Sequence, residues 1–290
     1  FTPIREAGYG MHLVMMNTKM ADRIFGFLDS IEKESKEERQ ELPPFSELTV
    51  NGLDFAFADR KLFENLSFKM KRGQILAIAG ESGRGKTTLA KLLLGKRQAD
   101  RGSIFLGEKE IESLSKSTIY QEVMYVSANS VLLNASILEN LQLAVNWSRV
   151  ELEDWLAEKG VLAFVRDLPQ GLDTLVGENG SQLSPGQRQQ IICVRAILAK
   201  RSLYLFDEVT SSVDKDNEVA IYDLLNLVAQ DALVIEITHK MKQVAKASQV
   251  LFIGKEKTVL GTPTEVYEQS EEYRQLANTQ QELEELTYGN

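Results

Sequence analysis

The hydrophobic pattern of this chain changes period along its length. Over residues 1–30, apolar or small side chains fall at Ile4, Ala7, Met11, Val14, Thr18, Ala21, Phe25 and Leu28, the spacing of one helix face. Met11, Met15, Met16 and Met20 make that helix rich in soft side chains, which packing explains better than a cofactor role. His12 lies in the same helix and is assigned no metal. A mixed-charge run from Glu32 to Glu41 ends at Pro43-Pro44 and reads as a solvated linker or helix end. From Glu47 the pattern becomes that of strands. Leu48–Val50, Leu53–Phe57 and Leu66–Met70 predict short antiparallel strands, and Gln74–Ala79 predicts a buried one. Thr87–Leu94 has the pattern of an amphipathic helix. Strands follow at Ser103–Leu106 and Val123–Ser127, then a mainly helical block over 135–200. Strands return at Leu203–Phe206, Leu233–Ile237 and Val250–Ile253 with helices between them. The end, Pro263 to about Leu286, reads as an acidic surface helix. Alternating strands and helices imply an α/β fold with a mostly parallel sheet covered on both faces.

Composition narrows this picture. The chain is 43% hydrophobic and 26% charged, ordinary globular values that leave room for a large core or two lobes. Net charge is -9, from 33 basic and 42 acidic residues, with no basic stripe, so nucleic acid is not an expected partner. The single cysteine, Cys193, excludes an internal disulfide, fits a reducing compartment and falls in an apolar helical stretch where burial is expected. No apolar run approaches a membrane span and no signal-peptide pattern occurs. The start at Phe1, in mid-pattern and without methionine, suggests a piece of something longer.

The first chemistry lies between the buried strand and the amphipathic helix. Gly80-Glu-Ser82-Gly83-Arg-Gly85-Lys86-Thr87 fits G-x-x-x-x-G-K-[ST] between a strand and a helix, the context that gives this pattern mechanical meaning. Glycines let the backbone wrap phosphate oxygens, and the N–H groups at the helix start face an anion. Lys86 brings a point charge to the outer phosphates, and the Thr87 hydroxyl is placed to hold Mg²⁺. A second strand, Ser202-Leu-Tyr-Leu-Phe-Asp207-Glu208, ends in two acids. Asp207 would hold the hydrated Mg²⁺, and Glu208 would polarise an attacking water. Alone, such a pair would read as exposed acids at a strand end.

Leu183-Ser184-Pro185-Gly186-Gln187, together with Glu208-Val-Thr-Ser-Ser-Val-Asp214 and Ile237-Thr-His239, closely resembles the nucleotide-binding domain of ABC transporters. The likeness runs from about Leu48 to Pro263 with the motifs in the family's order. It implies a P-loop NTPase of RecA-like core with an antiparallel β edge sheet and an inserted helical subdomain. It also implies ATP and Mg²⁺ bound between two such domains facing head to tail. By the same resemblance Gly80, Ser82, Gly83, Gly85, Lys86, Thr87 and Thr88 take the phosphates. Thr87 and Asp207 take Mg²⁺, Glu208 is the catalytic carboxylate and His239 the switch histidine. Asp214 lies in the loop that communicates across the dimer. Phe57 stands where the family places an aromatic ring against adenine, with Phe55 as the alternative. Ser184, Gly186 and Gln187 match the signature that completes the partner's site. Locally the same residues read as a well-capped helix start: Ser184 as N-cap, Pro185 at the first position, Gln187 where a capping box wants an amide.

Two positions depart from the family pattern. Pro185 replaces its usual glycine, a loss of one N–H that a helix start tolerates. Ala128, in Tyr125-Val-Ser-Ala128-Asn129, stands where the family has a glutamine for Mg²⁺ and the attacking water. That implies a weakened or asymmetric ATP site unless Asn129 substitutes. The segment Leu168 to Gly180 resembles the exporter segment that touches the coupling helices of a membrane domain. Phe1 to Asp29 resembles the cytoplasmic end of an exporter's last membrane helix, and looks closest to the CydD-like half of the thiol exporter that supports cytochrome bd assembly. The expected organisation is therefore an N-terminal helix and linker over 1–44, the cytoplasmic end of a missing transmembrane domain. An ATP-binding domain over 45–290 follows, its helical subdomain at about 130–200 and its helical tail at about 263–290. The expected function is the ATP-hydrolysing motor of an exporter, acting at the cytoplasmic face of the cell membrane and pairing with a second such domain, identical or not. The rivals are a non-catalytic ATP-binding half of a heterodimer and a soluble ATPase of DNA repair or translation. Intact Glu208 and His239 argue against the first, the acidic charge and exporter-like segments against the second.

Overall fold

A computed structural model describes residues 41–57, 60–255 and 257–288. The expectations for the helix over 1–30 and the charged run after it lie outside these residues. From Leu42 onward the described residues form one compact unit.

Two sheets organise it. The first is antiparallel, in the order β2-β1-β4-β5, from Glu47–Phe57 (β1), Arg60–Lys71 (β2), Arg101–Leu106 (β4) and Lys109–Glu110 (β5). The expected separate strands Leu48–Val50 and Leu53–Phe57 are one strand, whose register against β2 shifts between Val50 and Leu53. An extra residue absorbed in a bulge keeps the apolar face inward, so the pattern breaks while the strand continues. The second sheet has the order β10-β9-β3-β8-β7-β6. Its strands are Ile75–Ala79 (β3), Val123–Ser127 (β6), Leu203–Asp207 (β7), Leu233–Ile237 (β8), Gln249–Ile253 (β9) and Thr258–Gly261 (β10). All neighbours pair in parallel except β9 and β10.

The second sheet is covered on both faces, which is why its central strands are apolar almost throughout, with Glu236 of β8 a buried exception. Leu76, Ile78, Leu205 and Ile235 face the helix Lys86–Leu93 (α1) and the antiparallel sheet. Ala77, Tyr204, Phe206 and Val234 face the helices Pro185–Leu198 (α5) and Lys215–Ala229 (α6). Cys193 is wholly buried on α5, and burial pushes its thiol up to about 12, so it behaves as a small hydrophobe.

The block expected as mainly helical holds three α-helices among the described residues: Ile137–Gln142 (α3), Arg149–Lys159 (α4) and α5. Between α4 and α5 the chain runs through turns and short 3₁₀ segments, because Gly160, Pro169, Gly171 and Gly177 interrupt any longer helix. The C-terminal segment is two helices, Pro263–Gln269 (α8) and Glu271–Tyr288 (α9), broken at Ser270. It is more than a solvated surface: Val266 and Tyr273 are buried, and Tyr273 meets Phe252 of β9 edge-on at 5.3 Å.

Candidate active site

Four adjacent parallel strands, β3, β8, β7 and β6, deliver their C-terminal ends to one edge of the second sheet. Backbone bonds extend the ladder past each strand end. Thr238 N–H donates to Ile78 C=O at 3.2 Å, Glu208 N–H to Ile237 C=O at 2.8 Å, and Ala128 N–H to Asp207 C=O at 3.2 Å. The crevice outside the carboxyl ends of such strands is where open α/β sheets hold ligands.

The loop after β3 is built to admit no side chain at its start. Gly80 has φ +143, and a Cβ there would lie 2.4 Å from the Ile253 carbonyl oxygen. Gly83 and Gly85 also take positive φ, and Gly85 is the N-cap of α1 with no side-chain cap. The first N–H groups of α1 therefore lack a capping side chain and present an anion site. Lys86 is buried, and its Nζ donates to the Gly80 and Glu81 carbonyls at 2.7 and 3.0 Å. Burial lowers its pKa, while Glu208 and Asp207 oppose that shift. Ser82 and Thr87 are exposed and Thr88 half-buried. A backbone cradle, a poised cation and a free hydroxyl fit a polyphosphate.

Asp207 ends β7 and is buried. Its Oδ2 accepts from the Tyr125 hydroxyl at 2.7 Å. Burial raises the Asp207 pKa; the Tyr125 bond and Lys86 lower it, and Glu208 raises it. Two acids beside one lysine leave surplus negative charge that a divalent cation would offset, so Thr87 and Asp207 suit Mg²⁺ as an oxygen-donor set. Glu208 adopts φ +53, a left-handed conformation that is uncommon for a side chain of its size and costs about 1–2 kcal/mol. It stands 3.7 Å from Nδ1 of His239, and both side chains are about half exposed.

The structure brings the glycine loop, Asp207, Glu208 and His239 together at this edge. Phe57 is the last residue of β1. It is 58% exposed, whereas Phe55 is buried in the core, so only Phe57 offers a free ring. The Arg97 guanidinium already lies over that ring, 5.3 Å from its centre. Ser184, Gly186 and Gln187 start α5, and the capping box is complete: Gln187 N–H donates to Ser184 Oγ and Ser184 N–H to Gln187 Oε1. Asp214 caps α6 through Asn217 N–H. The two helix starts interlock, since a Cβ on Gly186 would strike Asn217 Cγ at 2.2 Å and Gln190 donates to Asn217 Oδ1 at 2.6 Å. Among the described residues no hydrogen bond or ion pair links Ser184, Gly186 or Gln187 to loop 80–88.

Ala128 offers no polar side chain, and its carbonyl accepts from Arg188 Nη2 at 3.1 Å. The same guanidinium reaches the Asn179 carbonyl, so one residue of α5 ties the loop after β6 to the segment before the capped serine. Sequence reasoning missed Arg188 and Tyr125. An arginine inside a signature-like helix and a tyrosine in the strand before Ala128 were the available signals.

A family model described as ABC transporter matches residues 63–211. The chain is 30% identical over 285 residues to the ATP-dependent lipid A-core flippase of Desulfotalea psychrophila, covering 97% of this chain and 50% of that protein. It is 33% identical over 239 residues to the ATP-dependent lipid A-core flippase 2 of Colwellia psychrerythraea, covering 81% and 41%. Among solved structures it resembles a bacterial Atm1-family ABC exporter with ATP bound, with a TM-score of 0.71 and 26% identity over 88% of this chain and 47% of that one. The chain thus spans about half the length of these relatives.

Proposed function

Because the chain belongs to the ABC transporter family, we propose that it is the ATP-hydrolysing motor of an exporter, working as one of two paired copies at the cytoplasmic face of a membrane. The observation that carries this reading is the convergence of Lys86, Asp207, Glu208 and His239 at adjacent strand ends. On this reading residues 45–290 are the ATP-binding domain, and 1–44 lead from a transmembrane domain. No helix among the described residues is long and apolar enough to cross a membrane. Translocation therefore needs a membrane part beyond them.

Each residue has a task. The loop N–H groups, Ser82, Thr88 and Lys86 hold the phosphates, and Phe57 stacks on adenine in competition with Arg97. Thr87 and Asp207 would hold Mg²⁺, which when bound neutralises phosphate charge. Glu208 accepts a proton from the attacking water. His239, close to Glu208, reaches the γ-phosphate. Ser184 and Gly186 of a second copy complete the site from the far side, and Asp214 lies on the path between sites. ATP so gripped closes the pair, and loss of the γ-phosphate reopens it.

A second reading, an ATP-binding half that turns over slowly beside an active partner, is favoured by Ala128 alone. The test is ATP binding and hydrolysis by the full-length protein. Lys86→Ala abolishes nucleotide binding at this site, and unchanged affinity refutes the assignment. Glu208→Gln keeps ATP bound, accumulates the closed pair and stops turnover; undiminished hydrolysis at this site refutes the catalytic role.

A further inference from the structure

The segment Thr238–Met241, which carries His239, is gripped from two sides by glutamine side chains that no motif predicts. From inside comes Gln243, 2% exposed. Its Oε1 accepts from the Thr238 hydroxyl at 3.2 Å and from the Thr210 hydroxyl at 3.0 Å. Thr238 precedes His239 and Thr210 follows Glu208 by two residues. Both threonines are 2% exposed, so neither hydroxyl has water as an alternative partner. The Thr238 hydroxyl also accepts from Lys240 N–H at 3.1 Å, closing a tight turn around the histidine. From outside comes Gln280 of α9. Its Nε2 donates to the His239 carbonyl at 2.6 Å and its Oε1 accepts from Met241 N–H at 2.9 Å. One planar amide thus clasps both backbone groups that flank the turn.

We propose that Gln243 and Gln280 are positioning residues for ATP hydrolysis: together they set where His239 stands relative to Glu208, and through Gln280 the C-terminal helix takes part in catalysis. This rests on the roles given to Glu208 and His239 above. Gln243 ties the two peptide segments to one buried atom, fixing their separation. Gln280 fixes the orientation of the turn about that anchor. Neither glutamine is placed on the nucleotide. Their loss acts on the chemical step, because small misplacements of a reacting group are costly, on the order of 100-fold for about 1 Å, while the loop around Lys86 keeps its own bonds.

The test compares steady-state ATP hydrolysis of the full-length protein with Gln280→Ala, Thr210→Val, Thr210→Ser, Gln243→Met and Glu208→Gln. Gln280 is half-buried and Thr→Val is nearly isosteric, so these variants decide the matter even if Gln243→Met fails to fold. Gln280→Ala and Thr210→Val are expected to lower kcat about tenfold with KM for ATP within about twofold. Thr210→Ser, which keeps the hydroxyl, restores kcat. Wild-type kcat in both Gln280→Ala and Thr210→Val, with Glu208→Gln inactive, overturns the positioning role and leaves the catalytic reading standing. Full activity in Glu208→Gln overturns the catalytic reading itself. A parallel rise in KM without loss of kcat also overturns the proposal, since that is the signature of weakened binding.

Discussion

Glu236 is a carboxyl group in the wrong solvent. It lies in the middle of β8, paired across the sheet with Ala77 and Phe206, and is 1% exposed. Neither carboxyl oxygen has a hydrogen-bond partner. Burial above all, with Glu218 adding to it and Lys240 and Lys246 opposing, pushes its pKa from 4.5 up to about 8. Lys240 is itself engaged by Glu218, and Lys246 lies over the Tyr222 ring at 4.9 Å. At pH 7 the folded protein therefore holds this carboxyl protonated, whereas the unfolded chain ionises it. The folded state binds the extra proton, so this group's contribution is fully present below about 4.5 and is lost as pH rises through about 8. Neutral pH lies roughly 2.5 pH units above the unfolded value, and at about 1.4 kcal/mol per unit the penalty is about 3 kcal/mol. Glu236→Gln removes the ionisation and keeps the shape and the polar atoms, so it isolates charge from polarity. The variant is expected to melt with wild type near pH 4.5 and to gain as pH rises. At pH 7 the gap should reach about 6–12 °C for a unit of this size. Thermal melts of both proteins from pH 5 to 8 measure it, and taking the difference cancels all other titrations. A gap that stays constant over that range refutes the reasoning.

Two further predictions follow from single contacts. Ala128→Gln supplies the amide that the family carries at this position; ATP turnover should rise about tenfold or more, the worth of one hydrogen bond to a charged group, with a changed Mg²⁺ dependence, and unchanged turnover in the assembled protein removes the case for a weakened site. Gly186→Ala drives a methyl into Asn217, so the starts of α5 and α6 must part; a loss of about 1–3 kcal/mol in denaturant unfolding is expected, and an unchanged midpoint shows that the interlock yields freely.

What could be read from the sequence divides by how local its physics is. The glycine loop was legible because strand, turn and helix are contiguous, and Gly80 to Thr87 carry their meaning in eight consecutive positions. The capped start of α5 was legible for the same reason. The acids at the end of β7, Asp207 and Glu208, gained meaning only beside the loop, yet each still lay in a short motif. Tyr125, Gln243 and Gln280 were not legible. Tyr125 reaches Asp207 across 82 positions, Gln243 reaches Thr210 across 33 and Gln280 reaches His239 across 41. Glutamine in a helix and tyrosine in a strand are compatible with many surroundings, so composition and period leave them unmarked. β1 was misread as two strands because a bulge breaks alternation without ending hydrogen bonding. The tail was misread as one surface helix because its acidic residues outnumber the few, such as Val266 and Tyr273, that anchor it.

The capped serine helix is the part of the chain on which the proposed pairing depends. Within its capping box Ser184 Oγ accepts from Gln187 N–H, and Ser184 N–H is spent on Gln187 Oε1. Pro185 has no N–H to give. The donors left at this helix start are the Ser184 hydroxyl proton, the Gly186 N–H and the Gln187 side-chain NH₂, together with the positive end of a 14-residue helix. They make no bond to loop 80–88 among the described residues; their start is locked instead against Asn217 and the Asp214 cap. Gly186 is held to zero side chain by that lock, and the cap within the chain accounts for Ser184 and Gln187. Under the proposed pairing, a second copy facing head to tail would bring a triphosphate to those donors, and the interlock with α6 would link the serine helix to the Asp214 cap. The proline makes this face poorer by one donor than a glycine would, so on the proposed pairing the Ser184 hydroxyl, the Gly186 N–H and the Gln187 side-chain NH₂ would carry the contact that remains.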